Sequence, residues 1–222
     1  MLIDTDNFVT QRIAADEVLA PEKTALIIID MMNRFCNPVW LAQGDHQRAE
    51  WFARELDHVI PNVTDALRIF REAGGLVVHA VCARWTLDKR DAPFHMRERD
   101  YDLFDTPAMS VIDQLAPLPG EMLIRKTTGS VFTGTGLEYL LHQAGVENVV
   151  LCGQYGSACV FYSLIQSREF GFKQRVWLED CILYSSEVNK HLFPALVGQH
   201  WATLATREEM TRALAPAAVT AS

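Results

Sequence analysis

Residues 24–30 read TALIIID, a continuous run of apolar, mostly β-branched residues that ends on the carboxylate of Asp30. A run of this length without polar alternation is typical of a strand buried on both faces of a parallel sheet. Further short apolar runs downstream predict five more strands. They lie at residues 76–81, 122–126, 148–152, 174–178 and 201–205.

Helical segments separate most of these strands. The longest, residues 46–73, keeps apolar residues at helical spacing and ends at two glycines, while Pro61 predicts a kink or a restart within it. Shorter helices are expected at residues 134–144, 158–170 and 186–197. This alternation predicts βαβ units. The predicted fold class is therefore α/β, a three-layer α-β-α sandwich with a Rossmann-like, mostly parallel six-stranded sheet.

The length of 222 residues fits one domain. We expect residues 1–222 to form it, with residues 1–20 as an N-terminal extension and residues 212–222 as a loose tail. Residues 83–106 are charged and aromatic without clear periodicity. A loop of that length inside a domain is usually functional or flexible.

The net charge and the hydropathy of the sequence exclude some classes of binding partner. The formal net charge of −8 at pH 7 argues against nucleic acid, because an acidic protein gains nothing from neutralising phosphates. No apolar run approaches the roughly 18 residues that a membrane span needs. The N-terminus lacks the basic and apolar regions of a secretory signal. We therefore expect a cytoplasmic protein whose partner is a small-molecule substrate.

The chain contains five cysteines, Cys36, Cys82, Cys152, Cys159 and Cys181, and none of them forms a CxxC pair. An odd number in an apparently cytosolic protein argues against a disulfide framework. Most of them are expected to be small buried hydrophobes, and one is a candidate nucleophile.

Three polar features coincide with the carboxyl ends of predicted strands, where ligands bind in parallel sheets. They are Asp30, Lys126 and the turn at residues 153–159, which contains Cys159 at a helix start. A helix N-terminus and a nearby ammonium favour a thiolate, and a carboxylate can accept and return a proton. A turn-capping Asp, a solvated Lys and a core Cys remain alternatives. In a Rossmann-like order strand 4 lies beside strand 1, but a long or bent strand 3 would have to bring in Lys126.

Three segments together resemble the isochorismatase-like, or cysteine hydrolase, superfamily. They are TALIIIDMMNRF at residues 24–35, KTTGSVFTGTGLEYLL at residues 126–141 and VENVVLCGQYGSACVFYSLIQSREFGF at residues 146–172. This superfamily includes nicotinamidases, N-carbamoylsarcosine amidohydrolases, biuret and ureidoacrylate amidohydrolases, and isochorismatases. The motifs occur in the order and spacing of that family.

The resemblance implies a role for each matching residue. Cys159 would be the nucleophile, Asp30 the proton acceptor and donor, and Lys126 the group that stabilises the thiolate and the developing charge. A non-proline cis peptide is implied at Gln154–Tyr155, and the N–H groups of Tyr155 and Cys159 would form the oxyanion hole. The implied activity is hydrolysis of an amide, ureido or carbamoyl C–N bond through a thioester.

Departures from individual relatives leave other functions open. Zinc-dependent nicotinamidases carry an Asp-x-His motif and a further His between the Asp strand and the lysine strand. This chain has His79 and His95 there but no Asp-x-His, so no metal and no cofactor are predicted. Isochorismatases have Tyr at the position of Tyr155 but Gly at that of Cys159. A vinyl-ether hydrolase that uses Asp30 as its acid is therefore the alternative, together with a non-catalytic member that binds a small molecule.

Five residues are candidates for binding the substrate. Asn33 and Phe35 follow the first strand closely, and Phe35 with Trp40 is expected to form an aromatic wall. Arg84 lies nearest the end of strand 2 and is the candidate for binding a substrate carboxylate. Gln154 lies beside the predicted cis peptide. Because members of this superfamily are usually dimers or tetramers, a homodimer or homotetramer is expected.

Overall fold

The computed structural model describes residues 10–37, 46–98 and 101–214. The strands in these ranges form one sheet of order β3-β2-β1-β4-β5-β6, in which every neighbouring pair is parallel. The predicted Rossmann-like, six-stranded sheet is thereby confirmed. The strands are β1 (Thr24–Ile29), β2 (Leu76–Cys82), β3 (Met122–Lys126), β4 (Asn148–Gln154), β5 (Gln174–Leu183) and β6 (Thr203–Ala205).

Helices cover both faces of the sheet, so the three-layer sandwich is also confirmed. Two of them, α2 (His46–Ala73) and α7 (Arg207–Ala213), contribute to the hydrophobic cluster on one face. Three others, α4 (Leu137–Gln143), α5 (Cys159–Glu169) and α6 (Glu187–His200), contribute to the cluster on the opposite face. Two short helices, α1 (Asn33–Cys36) and α3 (Phe94–Arg97), lie in the segments after β1 and β2, and Cys36 of α1 joins the hydrophobic cluster on the α2 face.

The long helix α2 follows its predicted bounds and does not break at Pro61. Its buried apolar residues recur at helical spacing on one face, whereas Pro61 itself is exposed. The hydrogen bond that a proline removes is then lost on the solvent side, where water satisfies the freed carbonyl. The predicted restart at this position is therefore wrong.

Residues near both limits of the described part make contacts that the sequence does not predict. Ala213 and Leu214 are buried, so the predicted loose tail at residues 212–222 is wrong for residues 212–214; residues 215–222 lie outside the described part. Within the predicted N-terminal extension, Arg12 pairs with Leu204 of β6. None of the described helices combines the length and apolar character needed to cross a bilayer.

A buried ionic cluster joins the end of α2 to the start of β3. Glu121 accepts hydrogen bonds from Arg71 Nε at 2.7 Å and from the Leu118 N–H at 2.8 Å. It also lies 3.0 Å from His79 Nε2, and the His79 side chain is buried within β2. Burial alone raises the pKa of Glu121, but the hydrogen bonds from these three residues outweigh it and hold the pKa at about 2.

We expect Glu121→Gln to lower the free energy of unfolding by about 2–3 kcal/mol at pH 7, since a pKa depressed from its ordinary value is a stability contribution. The contribution is complete above the ordinary value of 4.5 and is lost as the pH falls toward 2. Urea unfolding at pH 7 and pH 3 measures it. Glu72→Gln, which alters only an exposed pair with Arg68, is the control. Equal effects of Glu121→Gln at both pH values would contradict this assignment.

Candidate active site

The candidate site lies at the switch point of the sheet, between β1 and β4, where the strand order reverses. β1 has β2 on one side and β4 on the other, and the carboxyl ends of such neighbours form the binding crevice of open α/β sheets. Gly153 makes this approach possible. It has φ 101, and a Cβ there would lie 2.1 Å from the carbonyl oxygen of Ile29. Any side chain at this position would separate β1 from β4 beside the site.

Asp30 and Lys126 form a buried ion pair at this edge. Lys126 Nζ lies 2.8 Å from Asp30 Oδ2 and also donates to the carbonyl oxygens of Thr128 at 3.1 Å and Gly129 at 3.2 Å. Both side chains are almost completely buried. The three oxygen acceptors match the three hydrogens of the ammonium group.

Lys126 reaches Asp30 from a strand that is not its neighbour. β2 lies between β1 and β3, and Cys82 at the end of β2 pairs with Lys126 in the sheet register. β3 has only five residues and, at the edge of the sheet, pairs with β2 alone. The extended lysine side chain, rather than the strand, therefore crosses the intervening strand.

Cys159 is the first residue of α5, and only 9% of its surface is exposed. Its N–H has no acceptor within the helix, because the first turn of a helix leaves its amides unpaired. The Ser163 hydroxyl donates to the Cys159 carbonyl at 2.7 Å and accepts the Val131 N–H at 3.0 Å. Ser163 thus ties the start of α5 to the loop that follows Lys126.

The electrostatics of the cluster favour a neutral thiol. Burial, and then the charge of Asp30, raises the pKa of the Cys159 thiol, while Lys126 partly opposes this. Burial also raises the pKa of Asp30, against the effect of Lys126. For Lys126 burial lowers the pKa, but Asp30 and the neighbouring thiols outweigh it and raise the pKa well above its usual value.

This pattern indicates a neutral resting thiol, although the charge of Lys126 does lower the pKa of Cys159; the stabilisation of a thiolate by Lys126 and the helix start stays a prediction. The hydrogens of Lys126 are engaged by Asp30 and two carbonyls, so the ammonium acts on Cys159 through its charge. Asp30 Oδ1 is buried and accepts no short hydrogen bond from the described residues, while the Cys159 thiol lies close enough to lower the pKa of Asp30 as a hydrogen-bond donor. A neutral thiol beside a carboxylate with an unused oxygen is suited to proton transfer during attack.

The peptide bond between Gln154 and Tyr155 is cis, as the resemblance implied. The Tyr155 ring stacks on Phe52 with ring centroids 5.1 Å apart and meets Phe35 edge-on at 6.1 Å. Its side chain therefore packs into the hydrophobic cluster on the α2 face, while its backbone lies in the turn that leads to Cys159.

Three of the predicted substrate-binding residues have structural partners instead. Gln154 is buried, and its Nε2 donates to the Asp30 carbonyl at 2.6 Å. Arg84 donates from Nε to the Tyr101 carbonyl at 2.5 Å and from Nη1 to the Leu87 carbonyl at 2.6 Å, so it holds the loop together. Asn33 Nδ2 donates to the Pro107 carbonyl at 2.9 Å. The sequence could not reveal these partners, because each of them depends on how the loops fold back.

The predicted aromatic wall is only partly described. Phe35 is half-buried and meets the Tyr101 ring edge-on at 5.8 Å; Trp40 lies outside the described residues. Tyr101 itself was missed, because it lies in a segment without periodicity. It lines a small cleft together with Ala83 and Thr127, the residues that follow Cys82 and Lys126.

Tyr101 and Cys82 both lie close to the ion pair. Burial raises the pKa of the Tyr101 phenol, and the charges of Cys82, Asp30, Cys159 and Lys126 also act on it. Cys82 in turn acts on the pKa values of Lys126 and Cys159. The site therefore contains a phenol and a second thiol that the sequence motifs did not indicate.

The histidines near β2 are not placed as metal ligands. His79 is buried and bonded to Glu121, as described above, and burial lowers its pKa. Within residues 10–37, 46–98 and 101–214 no three His, Cys, Asp or Glu side chains are grouped so that they could hold a metal ion. The absence of a metal stays a prediction.

A parallel sheet with a buried acid, lysine and thiol at its switch point defines an α/β enzyme whose chemistry lies at the carboxyl ends of the strands. The model of the isochorismatase domain matches residues 24–209. The chain therefore belongs to the isochorismatase family and is a hydrolase of that family.

Two curated relatives and one solved structure illustrate the similarity. Maleamate amidohydrolase of Pseudomonas putida is 28% identical over 163 residues, 72% of each chain. Ureidoacrylate amidohydrolase RutB of Cronobacter sakazakii is 27% identical over 160 residues, 64% of this chain and 66% of the relative. The crystal structure of a cysteine hydrolase from Pseudomonas syringae pv. phaseolicola superimposes with a TM-score of 0.78 at 18% identity, covering 94% of this chain and 98% of that one.

Proposed function

We propose that this protein is a cysteine-dependent amidohydrolase that cleaves an amide, ureido or carbamoyl C–N bond of a small molecule. The observation that carries the proposal is the buried Lys126–Asp30 pair, 2.8 Å long, beside the thiol that begins α5. A buried ion pair is rarely a net gain in stability. Two charged groups next to a nucleophile at the switch point are better explained by proton transfer.

The proposed reaction starts from the neutral thiol. Cys159 Sγ attacks the carbonyl carbon while its proton passes to Asp30, and a tetrahedral oxyanion forms. The N–H groups of Tyr155 and Cys159 donate to that oxyanion. Collapse breaks the C–N bond, and the leaving nitrogen takes the proton from Asp30 as ammonia or an amine departs. Water then attacks the thioester and gives a proton to Asp30. Collapse breaks the C–S bond, the departing sulfur takes that proton from Asp30, and the carboxylic acid leaves.

Lys126 has a supporting part in this scheme. Burial alone would keep Asp30 protonated, and a protonated carboxyl group cannot accept the thiol proton. The ammonium opposes this effect and, through its bonds to the Thr128 and Gly129 carbonyls, holds Oδ2 so that Oδ1 remains for the proton. Lys126 therefore keeps Asp30 ionised and oriented.

The neighbours of the cluster suggest a short polar substrate. Phe35 and Tyr101 contribute aromatic surface. Relatives named for maleamate and for ureidoacrylate act on small acids that carry an amide or ureido group. We propose a substrate of this class. A homodimer or homotetramer and a cytoplasmic location stay predictions.

Ammonia release from a panel of maleamate, ureidoacrylate, N-carbamoylsarcosine, biuret and nicotinamide tests the proposal. We expect turnover of at least one member and parallel inactivation by iodoacetamide. Because Cys159, at 9% exposed, is the most accessible of the five thiols, peptide mass mapping should find it labelled first. Bound substrate should slow the labelling. Activity that survives complete alkylation of Cys159, or the absence of ammonia from every compound, would contradict the proposal.

A further inference from the structure

Asp30 is held in an unusual backbone conformation. It has φ 55, the left-handed region that non-glycine residues rarely adopt, so its surroundings have to maintain it. Its N–H donates to the Ala80 carbonyl at 3.0 Å, and its own carbonyl accepts the Met32 N–H at 2.9 Å. A side chain supplies the third bond, from Gln154 Nε2 to the same carbonyl at 2.6 Å.

Burial of the Gln154 amide at this position is energetically unfavourable. The residue is 1% exposed, and within the described ranges its Nε2 has one further partner, the Cys36 sulfur at 3.4 Å. Its Oε1 is buried and lacks a hydrogen-bond partner within the described ranges. A buried acceptor without a partner is unfavourable, and a methionine of similar length would avoid it. Stability alone therefore does not explain a glutamine at this position.

The hydrogen bond from Gln154 acts on the residue that bears the carboxylate. A rotation of the Asp30 backbone would move Oδ1 relative to the Cys159 thiol and Oδ2 relative to Lys126 Nζ, now 2.8 Å away. A displacement of about 1 Å of a group that transfers protons can reduce a rate roughly 100-fold. The position of the Asp30 carbonyl therefore matters for the reaction.

We propose that Gln154 is a positioning residue that holds Asp30 in its left-handed conformation, so that the carboxylate faces both Lys126 and Cys159. The assignment rests on the proposed function, in which Asp30 transfers the proton. It replaces the sequence-based expectation that Gln154 binds the substrate. Gln154 acts from behind Asp30 and touches neither the substrate nor the reacting sulfur.

Gln154→Met tests this assignment, because it keeps the length of the side chain and removes the donor. The matched control is Gln199→Met, since Gln199 on α6 also has a buried amide atom without a partner among the described residues. For Gln154→Met we expect kcat to fall roughly 10- to 100-fold with KM within about twofold. The acid limb of the pH profile of kcat for this variant should move to higher pH, because Asp30 is protonated more readily once it is displaced from Lys126. Its Tm should not fall, and Gln199→Met should keep the native kcat.

Three results would overturn the proposal. An unchanged kcat would remove the positioning role, and a raised KM with unchanged kcat would restore substrate binding. The third result is independent of activity and comes from a crystal structure of Gln154→Met. If φ of Asp30 and the distance from Asp30 to Lys126 are unchanged in that structure, Gln154 does not hold Asp30 in place. If the native protein turns over none of the panel, the proposed function fails, and this crystal structure still decides the role of Gln154.

Discussion

Replacing Cys159 by alanine is expected to reduce ammonia release from any amide substrate on the order of 10⁴-fold or more, because it removes the thiol that forms the thioester in the proposed reaction. Binding should survive, since the ion pair and the surrounding aromatic residues are retained. The expected result is a collapse of kcat with a dissociation constant for substrate that stays within a few-fold of the native value. Single-turnover kinetics and calorimetric titration measure the two quantities.

Two other thiols serve as controls for this experiment. Cys152 is completely buried within β4, and Cys152→Ala should keep kcat while losing some stability. Cys82 lies close enough to affect the pKa of Cys159 and is the thiol that could otherwise act as nucleophile. Loss of activity in Cys82→Ala with retention in Cys159→Ala would contradict the assignment.

Isochorismate distinguishes the alternative chemistry. A vinyl-ether hydrolase would use Asp30 as its acid and would not need a thiol. If Cys159→Ala and the native protein cleave isochorismate equally well, and neither releases ammonia from the amides, the thioester mechanism is wrong for this chain.

Lys126→Met is expected to lower kcat/KM roughly 10³-fold, because it removes the charge that keeps Asp30 ionised and so disables the base. It should also lower the free energy of unfolding by about 3 kcal/mol at neutral pH, since it leaves a buried carboxylate without its partner. Lys190→Met removes a surface pair with Glu55 and should change stability by at most about 1 kcal/mol.

The free energy of unfolding of Lys126→Met is expected to fall as the pH rises. Without the ammonium only the hydrogen bond from Cys159 still opposes the burial that raises the pKa of Asp30 above its ordinary 3.8, so the folded variant binds a proton that the unfolded chain releases. Its stability is therefore greatest below that ordinary value and falls as the pH rises through the folded-state pKa. Denaturant unfolding at pH 4 and pH 8 measures the change. Adding Asp30→Asn should recover stability at pH 8 but not activity; a double variant as unstable as Lys126→Met would contradict the ion-pair argument.

The sequence alone was sufficient for the fold. The apolar run of β1 predicted a strand covered on both faces, and the long helix α2 was predicted at its observed bounds. Such patterns are local, because burial repeats with the period of the element that carries it. The prediction was wrong at Pro61 and in the tail at residues 212–214, where exposure or packing supplied by distant segments decides the outcome.

The sequence also determined which residues meet, but not how they interact. Asp30, Lys126 and Cys159 could be predicted to converge because strands of a parallel sheet end at one edge. Only the tertiary structure decided that Lys126 crosses β2, that burial raises the pKa of the Cys159 thiol, and that Tyr101 lies beside the site while Arg84 and Gln154 donate hydrogen bonds to backbone carbonyls. Strand periodicity specifies the position of a Cα, whereas the partners and pKa of a side chain depend on segments far away in the chain, which only the completed fold brings into contact.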